Sequence, residues 1–199
     1  MDFIYERRRL PIGVKVEEVT GGARYKGRVW LEIARQIYCE NGKDGYRELG
    51  HFASGAPFLY GADERISISH TEGCLVVATK AVAPDTDLRE FTPSAALGVD
   101  VERSDREKVT ALRERFLTER ELKEVVPDTL EASIIAWTCK EAMLKAVMDP
   151  AIDWHHAIEI KKLPTLSEEG RGVVSRGDES LEFQLYTYRS EGYIITVAY

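Results

Sequence analysis

The sequence predicts an α+β fold built from two similar halves. Short runs alternating apolar and polar residues, bounded by glycine and polar turns, recur in both halves, and the second half carries one long helix-forming run. In addition, Thr71-Glu72-Gly73 before the apolar run from Cys74 to Val82 is echoed by Ser190-Glu191-Gly192 before Tyr193 to Tyr199.

Taken in order, a strand is expected from Gly13 to Val19 and a turn at Gly21-Gly22. A helix should follow from about Lys26 to Tyr38, where Val29, Trp30, Ile33, Ile37 and Tyr38 recur at helical spacing and Gly42 stands near the end. Tyr46 to Phe52 and a loop through Gly55 and Pro57 lead to a strand around Arg65 to Ser69. Thr71-Glu72-Gly73 then turns the chain into the second strand of a hairpin, with Ser69 and His70 at its mouth. The polar, proline-containing stretch from Pro84 to Ser94 reads as a linker.

In the second half, Gly98 to Glu102 reads as a strand. Val99 and Val101 face a core while Asp100 and Glu102 share the other face, roughly 7 Å apart at the backbone. Ser104 with Glu107, and Thr118 with Glu121, have capping-box spacing and predict two short helices. Asp128 with Glu131 gives a similar start to the long helix that carries Trp137 to Lys145. Beyond Pro150, strands are expected at Ala157 to Lys162, Gly172 to Ser175, Leu181 to Arg189 and Tyr193 to Tyr199. The division falls between residues 1–97 and 98–199.

A chain of 199 residues with 44% hydrophobic and 31% charged residues is of ordinary globular composition. No run of about eighteen apolar residues exists, and Met1 to Arg9 lacks the apolar stretch of a secretory signal, so no membrane association and a cytoplasmic location are expected. The net charge of −7, without a dominant basic stripe, argues against nucleic acid as a partner. Cys39, Cys74 and Cys139 are odd in number and set in apolar surroundings, as buried free thiols are. One local cationic stretch holds Arg103, Arg106, Lys108, Arg113, Arg115, Arg120 and Lys123, interleaved with acids. It reads either as a solvated face with internal ion pairs or as a docking surface for an acidic partner.

Chemistry concentrates in two segments. Glu141 and Lys145 stand four residues apart and share a helix face, with Trp137 one turn earlier. Asp100, Glu102 and Glu141 would then offer three carboxylates, with an ammonium beside them, from two rigid elements. Two ionised carboxylates on one strand face repel unless a cation sits between them, and oxygen ligands without histidine suit Mg²⁺ or Mn²⁺ better than zinc. The plainer reading is a pair of solvated edge-strand carboxylates and an ordinary helix-surface ion pair.

The wording of these segments resembles the 4′-phosphopantetheinyl transferase superfamily. Gly98-Val99-Asp100-Val101-Glu102 is similar to its first signature, and Trp137-Thr138-Cys139-Lys140-Glu141-Ala142-Met143-Leu144-Lys145 to its second. Ser69-His70-Thr71 and Gly55-Ala56-Pro57 match two further family elements in the family's order, so the resemblance spans residues 55 to 145. The resemblance implies transfer of the phosphopantetheine arm of coenzyme A to a serine of an acyl or peptidyl carrier protein, an acidic helical domain, releasing adenosine 3′,5′-bisphosphate. It implies two α+β halves with the coenzyme between them, residues 1–97 gripping the nucleotide and 98–199 carrying the metal and the catalytic helix.

With about a hundred residues before Asp100, the longer surfactin-synthetase-activator type is the better match, and a monomer should hold a whole site. By that resemblance Asp100, Glu102 and Glu141 ligate Mg²⁺, and Glu141 is also the base, directly or through a bound water. Lys145 serves the pyrophosphate and the leaving group. Coenzyme A contacts are expected from Arg24 (or Arg28), Ser69, His70, Asp100, Lys140 and Lys145, Lys140 lying about 100° off the Glu141 face. Ala56 stands where relatives often carry lysine, so Lys80 or an amino-terminal arginine would have to substitute. A magnesium-dependent pyrophosphate hydrolase and a non-catalytic coenzyme A- or carrier-binding module are the competing readings.

Overall fold

The computed structural model describes residues 4–10, 13–21, 33, 49–84, 86–89 and 91–199. The expected helix from Lys26 to Tyr38 lies outside these except for Ile33, which is helical. The strands are β1 (Ile4–Arg9), β2 (Val14–Thr20), β3 (Leu49–His51), β4 (Pro57–Leu59), β5 (Glu64–Thr71), β6 (Cys74–Ala81), β7 (Gly98–Arg103), β8 (Ile158–Lys162), β9 (Gly170–Arg176), β10 (Glu179–Ser190) and β11 (Tyr193–Ala198). The α-helices among the described residues are α1 (Arg113–Phe116), α2 (Leu130–Val147) and α3 (Trp154–Ala157).

Antiparallel pairing makes a four-stranded sheet of order β1-β2-β6-β5, a five-stranded sheet of order β7-β11-β10-β9-β8, and a small β3-β4 ribbon. The expected mixed α+β class is what forms. β1, with its run of charged residues, carries no apolar alternation and was not expected from sequence; it is held by pairing with β2, including Arg7 on Glu17 at 2.8 Å.

The two large sheets share an apolar interior. Val14 and Val16 of β2, Cys74 and Val76 of β6, and Val99, Val101 and Val197 pack there, so the predicted inward face of Val99 and Val101 is realised. On the other face of the five-stranded sheet lies α2, burying Ile134, Ile135, Cys139 and Met143 against Ile160, Phe183 and Ile194. The sheets meet at their edges through side chains. Ser67 Oγ accepts from the Val99 N–H at 3.0 Å and Ser69 Oγ from the Val101 N–H at 3.3 Å, which satisfies edge donors of β7 that no neighbouring strand reaches.

Several local signals resolve differently from the expectation. The Thr118–Glu121 capping box forms, with Thr118 N–H on Glu121 Oε2 at 2.7 Å and Glu121 N–H on Thr118 Oγ1 at 3.2 Å, but it opens a π-helical turn, Glu121–Val125. The Ser104–Glu107 box does not form, because the Ser104 N–H is taken by the Gly192 carbonyl at 2.8 Å; a 3₁₀ turn, Glu107–Leu112, follows instead. The cap of α2 is Thr129 rather than Asp128, its hydroxyl accepting from the Ala132 N–H at 3.2 Å. Cys74 and Cys139 are buried free thiols, and burial pushes the Cys74 thiol up to about 12. Cys39 lies outside the described residues.

Candidate active site

Glycine at 98 sets the distance between the two elements of the site. A Cβ placed there would come 1.9 Å from the Ala142 carbonyl oxygen and 2.7 Å from the Ala146 nitrogen, so α2 runs almost in backbone contact with β7. Ala142 and Ala146 make the matching small surface on the helix. Gly98→Ala is therefore expected to destabilise by about 1–3 kcal/mol, read as a lower urea midpoint, because backbone rather than a side chain must move.

With the helix this close, Lys145 reaches the strand. Its ammonium donates to Asp100 Oδ1 at 2.7 Å, to Ser69 Oγ at 3.0 Å and to the Val99 carbonyl at 3.1 Å, which uses all three of its protons. Ser69 donates its own proton to Asp100 Oδ1 at 2.7 Å. One hydroxyl of β5 thus ties together β7, α2 and the carboxylate between them. The other oxygen of Asp100, Oδ2, is buried and unpartnered.

Glu141 lies on α2 beside this carboxylate. Burial pushes its pKa up, the Asp100 charge pushes the same way, and Lys145 and Arg106 pull against them. A desolvated pair of carboxylates with one orphaned oxygen is a site that a hard cation would stabilise, so Asp100 and Glu141 fit Mg²⁺ or Mn²⁺. Glu102 fits less well: its Oε1 is engaged by Arg106 and its Oε2 faces Thr71 Oγ1 at 3.4 Å. Among the described residues no three His, Cys, Asp or Glu side chains converge closely enough to hold a metal ion.

A cavity of about 280 Å³ opens next to Lys145. Gly55, Ala56 and Pro57 line one side, Leu144 and Met148 of the α2 end another, and Arg65 and Ser67 of β5 the floor. The Gly55-to-Pro57 segment and Lys145 are thereby brought together, as their order in the chain did not require. Lys80 is not among the lining residues; its ammonium reaches the Ala96 carbonyl at 3.4 Å. Among the described residues, Arg65 is the cation that lines it besides Lys145, donating to the Leu88 carbonyl at 2.7 Å.

His70 follows Ser69 in β5 and is exposed. Partial burial of its ring and the nearby Lys145 charge lower its pKa, with Asp100 opposing. A depressed imidazole stabilises the fold above its unfolded value, about 6.5, and that contribution is lost as pH falls. The shift favours the neutral imidazole, which can donate or accept.

Lys140 is not brought to the site. Its ammonium is fully buried on another side of α2, 2.9 Å from the equally buried Glu121 Oε2. The expected phosphate contact from Lys140 gives way to an internal ion pair. Glu121 also accepts from the Ile160 N–H at 2.6 Å, so this pair joins α2 to the π turn and β8. Arg24 lies outside the described residues.

The cationic stretch after β7 is largely paired within the chain. Arg103 holds Asp105 at 2.6 Å, Arg106 holds Glu102, Arg120 holds Glu159, and Lys123 holds Glu119. Arg113 is buried under the start of α2, donating to Ser133 Oγ and the Val126 and Pro127 carbonyls. Lys108 and Arg115 stay exposed. The internal ion-pair reading describes most of this surface.

Sequence reasoning missed the reach of Arg106 back to Glu102 and the clamp made by Ser67. The first had a signal in the four-residue spacing just past the strand, the second in the alternating hydroxyls Ser67, Ser69 and Thr71 on one strand face.

No curated protein matches the chain significantly. A family model described as the 4′-phosphopantetheinyl transferase superfamily matches residues 96–198, the stretch from the approach to β7 through the end of β11. That match covers more than half of the chain and contains the Asp100, Glu102, Glu141 and Lys145 constellation, and by it the chain belongs to the 4′-phosphopantetheinyl transferase superfamily.

Proposed function

We propose that this protein transfers the 4′-phosphopantetheine arm of coenzyme A to a serine of an apo acyl or peptidyl carrier protein, with adenosine 3′,5′-bisphosphate as the leaving product. Phosphopantetheinyl transfer is the activity of its family. The observation that carries the reading is the Lys145–Asp100–Ser69 cluster, whose Lys145 also lines a cavity shared with Gly55 to Pro57. We take the longer, two-halved type as the best description, residues 1–97 gripping the nucleotide and 98–199 carrying the chemistry. Action as a monomer in the cytoplasm belongs to the same reading. No helix among the described residues is long and apolar enough to cross a membrane.

The reaction breaks the bond between the pyrophosphate bridging oxygen and the phosphorus that carries pantetheine, while the carrier serine oxygen forms a bond to that phosphorus. Mg²⁺ or Mn²⁺ held by Asp100 and Glu141 would supply neutralisation of the pyrophosphate charge. Glu141, carried on the rigid helix α2, is suited to take the serine proton, directly or through a bound water. Lys145 is placed to move from Asp100 onto the leaving phosphate, whose negative charge grows as the bond breaks. The cavity at Gly55 to Pro57 would take the nucleotide, with Arg65 and Lys145 as its cations, and His70, on β5 outside the cavity lining, would donate to a phosphate.

Lys145→Ala is expected to lower kcat by about 10²-fold or more with little change in carrier KM, since the lost interaction is made to the leaving group. A change in carrier KM alone would remove the leaving-group role. Incubation with coenzyme A and Mg²⁺ without a carrier separates transfer from hydrolysis: rapid release of adenosine 3′,5′-bisphosphate under those conditions would favour the hydrolase.

A further inference from the structure

Glu102 has the composition of a third metal ligand but not the freedom of one. It is 8% exposed, and both of its oxygens face protein donors, Arg106 on one and Thr71 on the other. Arg106 is in turn fixed from a second side. Its guanidinium lies over the Trp137 ring, 5.3 Å from the centroid, and Trp137 is wedged edge-on between Phe116 and Trp154. Trp137 stands one helical turn before Glu141, so this fixed cation lies at the rim of the Asp100–Glu141 pair and its charge is felt at Glu141.

A second route to the same conclusion comes from Asp100. Its orphaned Oδ2 shows which carboxylate still has an oxygen to give, whereas Glu102 is absent from the buried groups lacking partners. Displacing Arg106 to free Glu102 would strip a nearly buried carboxylate of its ion pair and move the guanidinium off the indole, a loss that a third carboxylate contact must offset.

We infer that Glu102 is a positioning residue for Arg106 rather than a metal ligand: the divalent cation is held by Asp100 and Glu141, and Glu102 with Trp137 pins a permanent positive charge beside them. This rests on the proposed metal site, and the test separates the two. Mn²⁺ alone is titrated into the full chain and its variants, with free ion read by electron paramagnetic resonance. Asp100→Asn and Glu141→Gln are expected to weaken binding more than about tenfold, Glu102→Gln to stay within about threefold of the parent, and Arg106→Gln, which lifts one repelling charge from the rim, to tighten binding by no more than about threefold.

If Glu102→Gln loses Mn²⁺ as Asp100→Asn does, or if Arg106→Gln tightens binding by more than about tenfold, beyond the lost repulsion of one rim charge, Glu102 is a ligand that Arg106 merely occupies, and the inference fails. The Arg106 variant decides this even if the Glu102 variant does not fold, because Arg106 sits on the rim. Lack of Mn²⁺ binding by the parent would instead remove the two-carboxylate metal site, and this assignment with it. In phosphopantetheine transfer, Glu102→Gln, Arg106→Gln and the double variant should show similar losses, as two residues acting through one contact do. Losses that multiply in the double variant would contradict the pairing.

Discussion

Glu141→Gln is expected to lower turnover by roughly 10³-fold, within the range spanned by positioned general bases, while leaving the fold intact. The change is isosteric, so α2 keeps its contact with β7 at Gly98. Two functions are removed together: proton acceptance and one of the two carboxylates that suit a cation. The stability effect has the opposite sign. Burial and the facing Asp100 raise the Glu141 pKa above its unfolded value. A carboxyl group raised in this way stabilises the fold below the unfolded value, about 4.3, and loses that contribution as pH rises through the folded value. In metal-free protein the glutamine variant should thus melt at or above the parental temperature at pH 7–8, with the advantage shrinking towards pH 5. Calorimetry without divalent cation checks this, and a variant that turns over normally would remove Glu141 from both roles.

Lys140→Ala should do the converse, damaging the fold far more than the chemistry. The ammonium and Glu121 are both fully buried, and removing one partner leaves an uncompensated charge inside the protein. Losses of about 3–5 kcal/mol are typical of such a change. The remaining Glu121 contacts, to the Thr118 and Ile160 N–H groups, hold it in place and prevent it from reaching water. Denaturant titration gives the stability. The folded fraction should keep its coenzyme A affinity, whereas a folded, stable variant with lost affinity would return Lys140 to the phosphate site.

The contrast between Lys140 and Lys145 shows how far the sequence could be read. Helical periodicity put Glu141 and Lys145 on one face and Lys140 off it, and strand alternation put Asp100 and Glu102 opposite Val99 and Val101; both hold in the structure. Period alone does not say which side a charged residue on the remaining face will meet. Only the packing of the π turn and β8 against α2 makes Lys140 an interior ion pair. Strands β5 to β7 and β9 to β11 were legible because apolar alternation and glycine turns coincide there. β1 was not, since its residues are charged and its only claim to strand geometry is its neighbour β2.

At the site, the identity of the carboxylates was readable, but their partners were not. Whether Asp100 keeps an open oxygen and Glu102 does not depends on Ser69, Thr71 and Arg106, which come from β5 and from the turn after β7. The Ser69 and Thr71 contacts follow from two sheet edges meeting, a long-range event that local spacing does not encode, whereas the Arg106 contact spans only four residues. The same holds for the cavity, whose walls come from residues as distant in sequence as Ala56 and Met148.

Transfer of phosphopantetheine to a carrier protein is read directly by mass spectrometry of apo-carriers. Acyl and peptidyl carriers would each be incubated with the full chain, coenzyme A and Mg²⁺. A carrier is expected to gain one phosphopantetheine on its serine, with one adenosine 3′,5′-bisphosphate released per carrier modified and no gain with Glu141→Gln. Unmodified carriers of every class, together with continued consumption of coenzyme A, would contradict this transfer.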